Sequence, residues 1–174
     1  MKREFTSLSP QEALHVAIFI EERNHELYRQ FADLFQQFGD PDSDEIADVF
    51  LDMAEEERGH GTLLQERYAQ RYGEETCKIT EEDIRELIEV PRLENDIFAI
   101  ARAGATASPR HHALEVALAA EEGAERFYAR LMEHTEDPDL YALYRELAAF
   151  ENEHVALVRR KMEAARRDLP TQQA

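Results

Sequence analysis

The sequence predicts an all-α protein: one four-helix bundle made of two helical hairpins joined by a long crossover. Three observations predict it. Glu, Ala, Leu and Arg dominate while Gly and Pro number only 6 each, a usage that favours helix. Apolar residues recur at helical spacing in four long stretches. The start and stop signals of the first pair of stretches reappear in the second pair. At 174 residues the chain suffices for one domain with a sizeable core and leaves little for another.

The first helix spans about 9–38. Ser9-Pro10-Gln11-Glu12 combines an N-cap serine, Pro at the first helical position and a capping-box Glu. Leu14, Ala17, Tyr28, Phe31, Phe35 and Phe38 follow at helical spacing, and Gly39-Asp40-Pro41-Asp42 ends the run. The second helix, about 43–71, carries Phe50, Met53 and Leu64 and stops before Gly73. A crossover over 74–107 contains short helices. Thr80-Glu81-Glu82-Asp83 caps one that stops near Pro91, and Asp96 to Arg102 forms another turn or two. Such a connection carries the chain along the bundle, so the third helix need not be a tight antiparallel neighbour of the second. That third helix, about 108–136, opens at Ser108-Pro109 and carries Leu114, Ala117, Leu118, Tyr128 and Leu131. After Asp137-Pro138-Asp139 the fourth, about 139–166, carries Tyr144, Leu147, Val155, Val158 and Met162. The tail 168–174 is expected to fray.

The halves read as a duplicated hairpin. Glu21-Glu22 followed by Tyr28 returns as Glu121-Glu122 followed by Tyr128. The proline of the Asp-Pro-Asp turn comes 13 residues after Tyr28 but 10 after Tyr128, and it precedes the next Glu-x-x-His by 16 residues against 13. Both arms of the first hairpin are therefore longer by about one turn, and the marked positions stay level.

Charge and cysteine content narrow the function. With 38 Asp+Glu against 20 Lys+Arg the net charge is −18, which argues against nucleic acid and anionic membranes as partners. The longest apolar stretch, Val16 to Ile20, is too short to cross a bilayer. The first residues lack an apolar run of signal-peptide length, and a lone Cys77 excludes a disulfide framework or a Cys-rich zinc site. We expect a soluble cytoplasmic protein. Most of its carboxylates form a solvated surface, so the informative ones are those that point inward.

Glu-x-x-His places a carboxylate and an imidazole on one helix face. The motif occurs four times, at Glu12/His15, Glu22/His25, Glu57/His60 and Glu151/His154, where chance alone gives roughly one match. Facing chooses among them. Phe50, Met53, Glu57, His60 and Leu64 share one line of the second helix, and Tyr144, Leu147, Glu151, His154 and Val158 share one line of the fourth. Glu12/His15 reads as capping. On the first helix Glu21 aligns with Leu14, Ala17, Tyr28 and Phe31, whereas Glu22 falls on a polar line; His25 reads as a partly buried polar residue. On the third, Glu121 aligns with the apolar line, Glu122 points outward, and Glu125 is an additional candidate ligand.

The inward set is thus Glu21, Glu57, His60, Glu121, Glu151 and His154. Four carboxylates and two imidazoles in a bundle core match the donor set of ferritin-like dinuclear metal proteins. Two divalent ions bring four positive charges that four carboxylates neutralise, so such a site can be buried. Without thiolate, oxygen and imidazole donors suit iron, with manganese as the alternative.

At Glu21 with Tyr28, Glu57-Arg58-Gly59-His60, Glu121-Glu122-Gly123-Ala124 with Phe127-Tyr128, and Glu151-Asn152-Glu153-His154, the chain resembles the rubrerythrin-type branch of the ferritin-like superfamily over roughly residues 9 to 165. The resemblance implies a ferritin-like bundle with two iron ions. It implies that Glu57 and Glu151 bridge them, that Glu21 with His60 serves one iron, and that Glu121 with His154 serves the other. It also implies that Tyr28 and Tyr128 hydrogen-bond ligands; their alternative reading is as core aromatics. Two departures stand out. The single cysteine cannot supply the paired Cys-x-x-Cys motifs of a rubredoxin-like module, so an external electron donor is expected. Ala124 occupies the place where peroxidase-type rubrerythrins carry a second Glu, which makes slow peroxide reduction the expectation.

The leading expectation is a di-iron oxidoreductase acting on Fe²⁺, O₂ or peroxide, working as a homo-oligomer. The alternative is an iron storage, sensing or scaffold protein whose metals mainly stabilise the fold. A metal-free helical scaffold would leave the buried acidic cluster unexplained.

Overall fold

The computed structural model describes residues 5–73, 77–87 and 109–167. After a 3₁₀ turn at Phe5–Ser7 come α1 (Pro10–Gln36), α2 (Pro41–Tyr72), a short α3 (Glu81–Leu87), α4 (Pro109–His134) and α5 (Pro138–Arg167). The expected turn at 96–102, the end of the short helix near Pro91, most of the crossover and the tail 168–174 lie outside the described residues.

The caps explain where these helices begin. Ser9 Oγ accepts from Glu12 N–H while Glu12 accepts from Ser9 N–H, closing the capping box. The second helix starts at Pro41, a little before the expected Ser43, because Asp40 is the N-cap: it accepts from the backbone N–H and the hydroxyl of Ser43. The last long helix, α5, starts at Pro138 for the same reason, with Asp137 accepting from Asp139 and Leu140 N–H. Gly39 and Gly73 adopt φ of 67° and 63°, left-handed values that glycine reaches without strain. In α3, Thr80 and Asp83 cap each other reciprocally.

α1 packs along α2 and α4 along α5, and the two hairpins meet through α1 against α4 and α2 against α5. The core has two apolar halves. One gathers Tyr28, Phe31, Phe35, Phe50, Met53, Leu114, Ala117, Val158 and Met162. The other gathers Leu14, Ala17, Ile20, Leu64, Ala124, Tyr128, Leu131, Tyr144 and Leu147. Every long helix runs from one half into the other, and the changeover falls at Glu21, Glu57, Glu121 and Glu151. Phe5, Ile79 and Ile84 extend the second half, with the Arg130 guanidinium 3.8 Å above the Phe5 ring. No helix among the described residues is long and apolar enough to cross a membrane.

Phe50 lies in an aromatic stack with Tyr28, Phe31 and Phe35 at centroid distances of 5.2–5.8 Å. Phe50→Ala is therefore expected to cost about 3–5 kcal/mol by urea unfolding, whereas Leu51→Ala on the exposed face costs less than about 0.5 kcal/mol.

The end of α2 is tied to the start of α5 by Arg71, whose two terminal nitrogens donate to Asp137 at 2.6 and 3.1 Å. That guanidinium, with the N–H groups of Leu140 and Asp139, holds the Asp137 carboxyl down at about 2. A carboxyl lowered by folding stabilises fully above its unfolded value, near 3.9, and loses the contribution as pH falls toward 2. A carboxyl-detected NMR titration should place Asp137 at about 2. In Arg71→Gln the midpoint should rise but stay below 3.9, since the two backbone donors remain.

Candidate metal centre

Glu21, Glu57, Glu121 and Glu151 are each fully buried, one from each long helix, at the plane where the apolar halves meet. His60 and His154 lie one turn beyond Glu57 and Glu151 and point into the same plane. His60 Nδ1 is 3.4 Å from Glu21 Oε2 and 4.0 Å from Glu57 Oε2. His154 Nδ1 is 3.0 Å from Glu57 Oε1 and 3.3 Å from Glu121 Oε2; these are close approaches without the alignment of hydrogen bonds.

Among the described residues, donor atoms that lie within 4.8 Å of one another form two groups: Glu21, Glu57, His60 and Glu151, and Glu57, Glu121, Glu151 and His154. Glu57 and Glu151 belong to both. Eight inward atoms lack a hydrogen-bond partner among the described residues: both oxygens of Glu57 and of Glu151, one oxygen each of Glu21 and Glu121, and Nδ1 of each histidine. Buried polar atoms are rarely left so, and a carboxylate without a partner is among the costliest groups to bury. Two cations would satisfy these atoms. Oxygen and imidazole donors in this number suit iron or manganese, so the residues present fit a dinuclear metal group.

The other oxygens of Glu21 and Glu121 are held by phenols. Tyr28 donates to Glu121 and Tyr128 donates to Glu21. Position 28 thus meets 121 while 21 meets 128, so α1 and α4 run antiparallel here, related by an approximate two-fold. Burial, then the neighbouring carboxylates, pushes both phenols well above their ordinary range, so they remain donors.

Electrostatics at the cluster reflect the crowding. Burial, then the charge of Glu21, raises the Glu57 carboxyl; burial, then Glu57, Glu121 and Glu21, raises that of Glu151. For Glu121 burial acts upward, but His154, Glu151 and Tyr28 overrule it and the net shift is downward. Burial would lower the His154 imidazolium, yet Glu121 and Glu57 hold it up to about 11.

The remaining sequence candidates lie elsewhere. Glu22 is exposed and accepts from Gln65 at 2.6 Å, and Glu122 accepts from Arg159 at 2.6 Å. His25 Nδ1 meets the Ala54 carbonyl at 2.7 Å. Glu125 is half-buried and belongs to neither donor group.

Three neighbours escaped sequence reasoning. Glu56 accepts from His154 Nε2 at 2.8 Å. Phe150 packs against His60 with centroids 4.8 Å apart. Buried Asn24, one turn after Glu21, has an amide nitrogen without a partner among the described residues. Glu56 and Phe150 each precede the Glu of a Glu-x-x-His, a position that a search for inward lines assigns to solvent.

A sequence model described as rubrerythrin matches residues 12–107 and 112–173. Among solved structures, an uncharacterised conserved protein from Magnetospirillum magnetotacticum MS-1 is similar at TM-score 0.71 and 24% identity, over 90% of this chain and 95% of that one. A hypothetical protein from Pyrococcus furiosus is similar at TM-score 0.67 and 23% identity, over 91% of each chain. At these identities the likeness speaks for the fold alone. No curated protein matches. The extent of the family match, over a bundle that gathers its carboxylates and histidines at one level, places the chain: it belongs to the rubrerythrin family.

Proposed function

We propose that the protein is a di-iron oxidoreductase acting on Fe²⁺, O₂ or peroxide, with electrons delivered by a separate donor. One observation carries this reading: two groups of buried donors share Glu57 and Glu151, whose four oxygens have no hydrogen-bond partner among the described residues. Glu21 and His60 would hold one ion, Glu121 and His154 the other, and Glu57 and Glu151 both. When bound, the pair supplies two one-electron centres side by side, matching the two electrons that peroxide requires.

The chain's own part is to orient and to exclude water. Each phenol fixes one oxygen of Glu21 or Glu121, which turns the other toward the cluster. The apolar halves on either side keep the plane dry, where electrostatic interactions are strong. Because Tyr28 reaches from α1 to α4 and Tyr128 reaches back, the same bonds fix the spacing of the hairpins.

A second reading, iron storage, sensing or a scaffold, draws on Ala124. This residue is buried three positions after Glu121, and Glu125 lies outside both donor groups. Donor-dependent peroxidase turnover against iron-loading capacity separates the two.

The native protein is expected to bind two metal ions per chain, because four buried carboxylates call for compensating charge. Glu57→Ala and Glu151→Ala should each lose more metal in elemental analysis than Glu22→Ala or Glu122→Ala. Greater damage from the outer pair contradicts the assignment.

With alanine rather than glutamate at 124, His60 should meet no competing carboxylate, so crystals of reduced and oxidised protein should show His60 coordinated in both. Peroxide turnover with an added donor should be slow, and Ala124→Glu should raise it. An iron that leaves His60 for Glu125 on oxidation contradicts this.

A further inference from the structure

The two halves of the cluster repeat each other in their inward residues and differ immediately outside them. Glu21 repeats as Glu121, Tyr28 as Tyr128, and Glu57/His60 as Glu151/His154. The residue just before each Glu-x-x-His does not repeat: it is Glu56 on α2 and Phe150 on α5. The approximate two-fold brings each of these against the histidine of the other helix.

The consequences for the imidazoles are unlike. His154 Nε2 lies 2.8 Å from Glu56 Oε2, so its outer nitrogen donates to a carboxylate and Nδ1 faces inward, toward Glu57 and Glu121, where it would present its lone pair to a bound ion. His60 meets the Phe150 ring instead, with centroids 4.8 Å apart and planes 34° from parallel. Phe150 can pack on that ring but cannot accept its proton, and no described residue takes Glu56's role for His60. The His60 side chain is also the more exposed of the two, at 11% against 5%. A carboxylate behind a ligating histidine fixes tautomer and ring orientation and strengthens the donor, and its loss typically costs 10–100-fold in metal affinity.

Resting on the dinuclear reading above, we propose that Glu56 is a positioning residue for His154 and that the two ion positions are consequently unequal: the first ion enters at Glu57, Glu121, Glu151 and His154, and the second, more weakly held, at Glu21, Glu57, Glu151 and His60. The inequality is written into one pair of positions, 56 and 150, and can be reversed there without touching a ligand.

The test is a titration of metal-free full-length protein with Co²⁺, followed by visible absorption and calorimetry. Wild type should bind in two steps, the first at least about 10-fold tighter. Glu56→Phe, which makes the two halves alike, should weaken the first step by about 10- to 100-fold and bring the steps together. Glu56→Gln, whose amide oxygen still accepts from Nε2, should restore part of the difference. Phe150→Glu should tighten the second step. Both positions are exposed, so thermal midpoints of the metal-free variants should match wild type, and a purely structural role would not reproduce these opposite shifts. Two equal steps in wild type, or a first step unmoved by Glu56→Phe, overturns the proposal while leaving the dinuclear reading intact. Should Glu56→Phe fail to fold, Phe150→Glu decides alone, and an unchanged second step overturns it. Absence of Co²⁺ binding in wild type removes the dinuclear reading and this proposal together.

Discussion

Four glutamates buried at one level of an apolar bundle are the constraint on which the rest of this structure depends. Taking an ion out of water costs several kcal/mol even after relaxation, and here four lie close enough for each to raise the cost of the next. Burial and mutual repulsion push the Glu57 and Glu151 carboxyls up, while Glu121 and Glu57 raise the His154 imidazole against the pull of burial. A chain selected for stability alone would place leucine at these positions. Their presence is a reason to look for positive charge arriving from outside, and the unpartnered oxygens of Glu57 and Glu151 mark where it would arrive.

Much of the architecture follows from holding that level. The apolar core is divided into two clusters because the polar plane cuts it. Tyr28 and Tyr128 cross between hairpins to bind Glu121 and Glu21, so α1 and α4 are registered by the same groups that orient the carboxylates. Gly61, buried one turn after Glu57, marks how closely α1 and α2 approach at this level: a Cβ there would stand in ordinary contact, 3.6 Å from that of Glu21. The longer first hairpin adds its extra turn beyond the plane, where Phe35 and Ala47 extend one apolar half, and the donors stay level.

The sequence made the bundle legible because its signals are local. Ser9 with Glu12 closes a capping box and Pro-flanked turns break the helices, so their types were readable, while two starts shifted because Asp40 and Asp137 cap them. Inward lines singled out Glu21 over Glu22 and Glu121 over Glu122, since a residue one step away on a helix faces some 100° off. What periodicity could not carry was contact between helices. Nothing in the pattern tells that Tyr28 pairs with Glu121 rather than with a residue of its own hairpin. Likewise Glu56 looks like any solvated glutamate until α5 brings His154 to it, and Phe150 like a stray surface aromatic until His60 lies against it. Asn24 falls on the correct face, but a buried amide carries no spacing signature of its own.

Membership of the rubrerythrin family and a glutamate–histidine cluster able to hold metal agree with this physical picture, and the proposed redox role rests on the cluster being filled. Anomalous diffraction at the iron edge, from crystals of the iron-reconstituted protein, tests that most directly. The account predicts two peaks inside the bundle, one beside Glu21 and His60 and one beside Glu121 and His154, both in contact with Glu57 and Glu151. A core without anomalous signal, or one ion bound at the surface, would contradict it.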